Sequence, residues 1–128
     1  MVAQTAVLDR WLTPGVLRVL RWAFVVALIG QLVVLYLPRT PDAVPEVAGV
    51  DKVVHVGIFA LPVVLAVLLG ATRWVIPLLV LHAPVSELVQ GYLLPARGMD
   101  ARDVIADLVG VVLGWGIGAL LLRWRSRT

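Results

Sequence analysis

Side chains that exchange protons or bind ions recur at helical spacing between residues 51 and 107. Residues three or four positions apart lie on the same side of an α-helix. The pairs with this spacing are Asp51 with His55, Glu87 with Gln90, and Asp103 with Asp107. Carboxylate and imidazole groups can transfer protons, coordinate metal ions or pair with each other. The spacing therefore predicts a polar site assembled from several helices.

Glu87 and His55 are the candidates for general acid–base catalysis, because carboxyl and imidazole groups are common proton-transfer groups in enzymes. No serine or threonine has the spacing of a nucleophile, and Ser86 projects about 100° away from Glu87 on the same helix. If the protein is an enzyme, we expect hydrolysis by bound water; the sequence leaves open whether it is one. The residues predicted to bind a ligand are Asp51, Lys52, Gln90, Arg97, Asp103 and Asp107.

Lys52 and Arg97 are expected to hold phosphate or carboxylate groups of that ligand. The sequence predicts no cofactor and no metal ion. A metal site from His55, Glu87 and Asp107 is the alternative, since imidazole and carboxylates suit several divalent ions. It lacks a local ligand pair such as two histidines one turn apart. A structural alternative is also open, in which the same groups form salt bridges and hydrogen bonds that hold membrane helices in register.

The composition shows what kind of elements must position these groups. Of 128 residues, 61% are hydrophobic and 15% are charged, and no cysteine is present. So little polar material cannot cover the surface of a small soluble domain, and the missing cysteines exclude disulfides and zinc–cysteine sites. Four apolar stretches are long enough to span a bilayer: residues 22–37, 53–69, 74–94 and 104–124. The predicted fold is an all-α membrane protein, a four-transmembrane-helix bundle.

The segment before these spans predicts a short interfacial N-terminal helix within residues 1–21, because apolar residues alternate there with arginines. The first span extends backward instead if residues 16–20 join it. The first span resembles a secretory signal peptide, but it is long and no small-x-small cleavage site follows it, so we expect it to be retained. Asp51 and Asp100 are predicted to cap the second and fourth helices.

Charge distribution predicts the orientation. Seven of the eleven basic residues fall on the side that holds the N-terminus, and these are Arg10, Arg18, Arg21, Arg73, Arg123, Arg125 and Arg127. The positive-inside rule then makes both termini cytoplasmic and puts the polar residues on the opposite face. The net charge of +3 reflects membrane topology in this interpretation, so membrane lipids and no nucleic acid are the expected partners.

Small residues recur every fourth position in the last span, at Ala106, Gly110, Gly114 and Gly118. Such a stripe lets another helix backbone approach closely. Packing within the chain is the expected use, and a homo-oligomer contact through Gly110, Gly114 and Gly118 is the alternative.

The order of these motifs resembles the VanZ-like family of small integral membrane proteins, named for a teicoplanin-resistance determinant. The resemblance covers residues 51–118, about half of the chain, and rests on four motifs: Asp51-Lys52 with His55, Glu87 with Gln90, Pro95-Ala96-Arg97, and Asp103 with Asp107, Gly110 and Gly114. Family members commonly carry asparagine where this chain has Asp107. The resemblance implies a single domain over residues 1–128 in a bacterial cytoplasmic membrane, linked to the cell envelope and to glycopeptide susceptibility.

Together these features favour a site at the extracytoplasmic face that binds or processes an amphiphile. A lipid-linked envelope precursor or a lipoglycopeptide antibiotic has the required polar head and lipid tail. The rival hypothesis is a noncatalytic structural or partner-binding subunit of a membrane complex. A small transporter is less expected, because one four-helix chain has little room for alternating access.

Overall fold

The computed structural model describes residues 12–38, 49–95 and 97–127. Within them the chain forms four α-helices: α1 Pro14–Tyr36, α2 Val50–Leu68, α3 Thr72–Leu93 and α4 Ala101–Arg125. Each is long and apolar enough to cross a membrane. An all-helical protein with four candidate membrane spans is thus confirmed for the described residues. The ends of α2, α3 and α4 lie within three residues of the predicted ends.

α1 begins eight residues earlier than predicted, and this corrects the interfacial helix expected within residues 1–21. Thr13 is the N-cap, and its side-chain oxygen accepts a hydrogen bond from the Val16 N–H at 3.3 Å. Pro14 occupies the first helical position, where its fixed φ favours the helix and its missing N–H costs nothing. These two start signals make residues 14–21 the first turns of α1. Residues 1–11 lie outside the described residues.

One of the two predicted helix caps is correct. Gly49, not Asp51, is the N-cap of α2, and its φ of 89° is a left-handed conformation that glycine adopts without steric cost. Asp51 lies in the first turn instead, near the positive end of the helix dipole. Asp100 is the N-cap of α4, as predicted, and its side chain accepts a hydrogen bond from the Arg102 N–H at 2.8 Å.

The tight connection between α2 and α3 is explained by glycine at its centre. Gly70 has a φ of 69°, its N–H donates to the Val67 carbonyl at 3.1 Å, and the Ala71 N–H donates to the Ala66 carbonyl at 2.8 Å. This is the Schellman arrangement that ends many helices. It turns the chain at once, so that α3 begins at Thr72.

The glycine stripe of α4 packs against α2 within the chain. A Cβ atom built on Gly110 would lie 2.5 Å from the Val56 carbonyl oxygen, and one on Gly118 would lie 2.7 Å from Val67 Cβ. Gly110, Gly114 and Gly118 lie against successively later residues of α2, namely Val56, Ala60 and Val67, so α2 and α4 run parallel at very short distance. Gly110, Gly114 and Gly118 are buried there. Packing within the chain is therefore the observed use of these glycines, and the homo-oligomer contact stays a prediction.

All four helices contribute to one apolar core. Its buried members are Leu35, Phe59, Val63, Val67, Leu79, Ala83 and Val111. The outward faces are also apolar, with Val19, Leu78, Val112 and Leu120 all more than half exposed. A protein that is apolar inside and outside is suited to lipid as its solvent.

Candidate functional site

The predicted polar residues come together at one end of the bundle. This polar cluster, as we call it, comprises Asp51, Lys52, His55, Glu87, Gln90, Arg97, Asp100, Asp103 and Asp107. Its members come from the first turns of α2 and α4, the last turns of α3 and the α3–α4 loop. All eight predicted site residues therefore share one region, and Asp100 joins them through contacts that the sequence did not predict.

The innermost pair of the cluster is His55 with Asp107. His55 Nδ1 lies 2.8 Å from Asp107 Oδ1, and the two residues are 2% and 0% exposed. His55 Nε2 faces Asp103 Oδ2 at 3.9 Å. A carboxylate on Nδ1 fixes the orientation of an imidazole ring and leaves Nε2 for chemistry or coordination. The close packing of α2 on α4 at Gly110 brings this pair together, one helical turn from Asp107.

Lys52 is the centre of the outer part of the cluster. Its ammonium donates to Asp103 Oδ1 and to Asp100 Oδ2, the latter at 2.9 Å, and lies 3.6 Å from Asp51 Oδ2. The Lys52 ammonium, together with the Arg102 backbone N–H, holds the pKa of Asp100 below its ordinary value. Lys52 is therefore surrounded by carboxylates. The phosphate-binding role predicted for it would require a ligand to compete with three internal partners.

Glu87 is held by the loop that follows its helix. Its Oε2 accepts a hydrogen bond from the Asp100 backbone N–H at 3.0 Å, while Oε1 has no hydrogen-bond donor among the described residues. The side chain is only 1% exposed. Asp100 thus has two roles, because its side chain caps α4 while its backbone fixes Glu87. No sequence pattern joins positions 87 and 100, so this contact was not predictable.

Arg97 connects the α3–α4 loop to the end of α1. Its Nη1 donates to Gln90 Oε1 at 3.1 Å, and its Nη2 donates to the carbonyls of Val34 and Leu37 at 2.8 and 2.9 Å. These carbonyls belong to the last turn of a helix, where they lack intrahelical partners. The guanidinium group therefore caps α1, a role that the sequence analysis did not assign to it.

A second polar contact lies deeper in the bundle. The Tyr36 hydroxyl and His82 Nε2 are 2.8 Å apart, and the His82 ring stacks on Phe59 at a centroid distance of 5.8 Å. This contact joins α1 to α3, because Tyr36 and His82 belong to these two helices. Ser86, which had no predicted role, donates to the Ala83 carbonyl at 2.8 Å.

The geometry also allows coordination of a cation. One ligand atom from each of His55, Glu87 and Asp107 lies within 4.8 Å of the others, and Asp51, His55 and Asp103 form a second such group. Asp107 Oδ2, like Glu87 Oε1, is buried without a hydrogen-bond donor among the described residues. The separate surface groove of about 590 Å³ along residues 14–25 of α1 does not involve the cluster.

Comparisons with known proteins found no relative of this chain. No protein-family model matches the chain, and neither a curated protein nor a solved structure is significantly similar to it. The VanZ-like resemblance stays a prediction from the motifs.

Proposed function

We propose that this chain is a VanZ-like membrane protein that binds or processes the polar head of an amphiphile at the polar cluster. The expected ligand is a lipid-linked envelope precursor or a lipoglycopeptide antibiotic, and the expected location is the extracytoplasmic face of a bacterial cytoplasmic membrane. The observation that carries the proposal is the gradient of exposure within the cluster. His55 and Asp107 are buried, whereas the side chains of Lys52 and Asp100 are 34% and 44% exposed.

Such a gradient suits a ligand with both polar and apolar parts. A head group that approaches the helix ends meets the accessible charges of Lys52 and Asp100 first. Gln90 then offers a buried amide donor, because its Oε1 accepts from Arg97 while its Nε2 has no acceptor among the described residues. Beside it on α3, Leu93 is 72% exposed and would adjoin a lipid tail. Sugars and peptides supply the hydroxyl and carbonyl groups that this donor requires.

The orientation of the cluster is supported by the distribution of basic residues. Arg73, Arg123 and Arg125 lie at the ends of helices remote from the cluster. Cytoplasmic loops are enriched in arginine and lysine, so the cluster belongs on the extracytoplasmic side in this proposal. An envelope precursor or an externally added antibiotic is present at that face.

The substitution Gln90→Glu tests the binding role. It preserves size and keeps an acceptor for Arg97, but it removes the amide donor. We expect binding of teicoplanin to weaken about tenfold, which corresponds to the loss of one buried hydrogen bond. The measurement is surface plasmon resonance with the full chain captured in lipid nanodiscs, with empty nanodiscs as the reference. Arg18→Gln, at the opposite end of the bundle, is the control and should bind as the unsubstituted chain does.

The structural alternative has a specific observation in its favour, because Lys52 is already paired with Asp51, Asp100 and Asp103. If the cluster only holds helices together, Gln90→Glu should leave binding unchanged, since the removed donor has no acceptor among the residues that the structure describes. Equal affinity of the variant and the unsubstituted chain, or no binding above that of empty nanodiscs, would therefore refute the proposal.

A further inference from the structure

We propose that His55, Glu87 and Asp107 bind a divalent transition-metal ion such as Zn²⁺ or Mn²⁺. The three side chains come from α2, α3 and α4, so the ion would join three helices at the inner part of the polar cluster. This inference goes beyond the proposed function, because it requires no amphiphile.

The positions of the three side chains suit a common ion. One ring nitrogen of His55 and one carboxylate oxygen each of Glu87 and Asp107 lie within 4.8 Å of one another, and all three residues are buried. Ligand atoms about 2.0–2.2 Å from a common ion are roughly 3.0–3.5 Å apart. Side-chain rotations can supply this contraction, since Glu87 and Asp107 each have an oxygen that is not held by a hydrogen bond among the described residues.

These two oxygens are the second, independent argument. Glu87 Oε1 and Asp107 Oδ2 have no hydrogen-bond donor among the described residues, although Glu87 is 1% exposed and Asp107 is fully buried. An unsatisfied buried acceptor is costly, and the cost is larger for a carboxylate than for a neutral group. A metal ion between them would satisfy both oxygens together.

Charge favours a cation at this position over the neighbouring one. Asp51, His55 and Asp103 also form a group of suitable size, but the Lys52 ammonium already contacts both of its carboxylates. The inner carboxylates have His55 as their basic neighbour, with Asp107 Oδ1 at 2.8 Å from Nδ1. The outer carboxylates thus already hold the Lys52 ammonium between them, whereas the imidazole of His55 is the basic group that contacts the inner ones among the described residues.

The ligand types determine the class of ion. One imidazole with two carboxylates suits transition metals, whereas Mg²⁺ and Ca²⁺ prefer oxygen ligands alone. Such an ion has open coordination positions beyond these three ligands, which would face water or a ligand's oxygen atoms.

The test uses the full chain in nanodiscs, stripped with chelator and freed of any histidine tag, with Mn²⁺ or Zn²⁺ alone as the probe. Isothermal titration should show one ion bound per chain. Glu87→Gln and Asp107→Asn keep side-chain size and should each weaken binding at least about 30-fold, because the loss of only an outer-shell partner of a ligand typically costs about 10–100-fold in metal affinity. Asp51→Asn removes a carboxylate from the neighbouring group and should weaken binding much less than either of these two variants.

A spectroscopic readout keeps the test decisive if a variant does not fold. Electron spin echo measurements on Mn²⁺ bound to the unsubstituted chain should detect the nitrogen of one imidazole. Absence of saturable binding above that of empty nanodiscs, absence of that nitrogen signal, or weakening by Asp51→Asn but not by Asp107→Asn would overturn the inference. Teicoplanin binding measured in chelator tests the proposed function separately, so the two can fail independently.

Discussion

The substitution Gly114→Ala should weaken the packing of α2 against α4. A Cβ at this position would lie 2.9 Å from both Ala60 Cα and Val63 Cβ, against 3.4–4 Å for ordinary van der Waals contact. Ala60 Cα is a backbone atom and Val63 Cβ is bonded directly to the backbone, so neither can rotate away as the end of a long side chain could, and the helices must separate. A gap of about 0.5–1 Å removes a quarter to a half of the dispersion energy of each affected contact. We expect a loss of about 1–3 kcal/mol in the free energy of unfolding, as for other overpacked cores.

The assay is reversible unfolding in mixed micelles with increasing sodium dodecyl sulfate, followed by helical circular dichroism. Gly116→Ala is the matched control, because it lies two residues away on the same helix and its Cβ would meet no atom of the described part of the chain within 4 Å. We expect its stability to stay within about 0.5 kcal/mol of the unsubstituted chain. If Gly114→Ala were as stable as Gly116→Ala, the close approach of the two helices would be incorrect.

Two further predictions concern the α1–α3 contact and the orientation. Tyr36→Phe removes the hydroxyl that lies 2.8 Å from His82 Nε2, so the free energy of unfolding should fall by about 0.5–1.5 kcal/mol. The control is Tyr92→Phe, at a residue that is 78% exposed, and an equal effect of this substitution would contradict the reasoning. The chain has no cysteine, so a single introduced cysteine is the one thiol that a maleimide can label. Gly98→Cys should react with a membrane-impermeant maleimide on intact cells, whereas Ser126→Cys should react only after permeabilisation. The reverse pattern would place the polar cluster in the cytoplasm.

The amino-acid sequence was sufficient for the number and approximate limits of the helices because lipid-spanning helices need long apolar stretches. It was less informative about where helices begin when local signals compete. The arginines at positions 18 and 21 indicated an interfacial segment, but Thr13 and Pro14 start α1 before them. At α2 the capping preference of Asp51 was outweighed by Gly49, whose backbone conformation starts the helix two residues earlier.

The succession of four spans was enough to predict that polar groups, among them His55, Glu87 and Asp107, share one end of the bundle. Only the tertiary structure decided which of them touch. The hydrogen bond of His55 with Asp107 depends on α2 lying directly on the glycine stripe of α4, and the contact of Glu87 with the Asp100 N–H depends on the path of a loop. Spacing along one helix determines which side a residue faces, whereas contacts between helices depend on the rotation and separation of each pair.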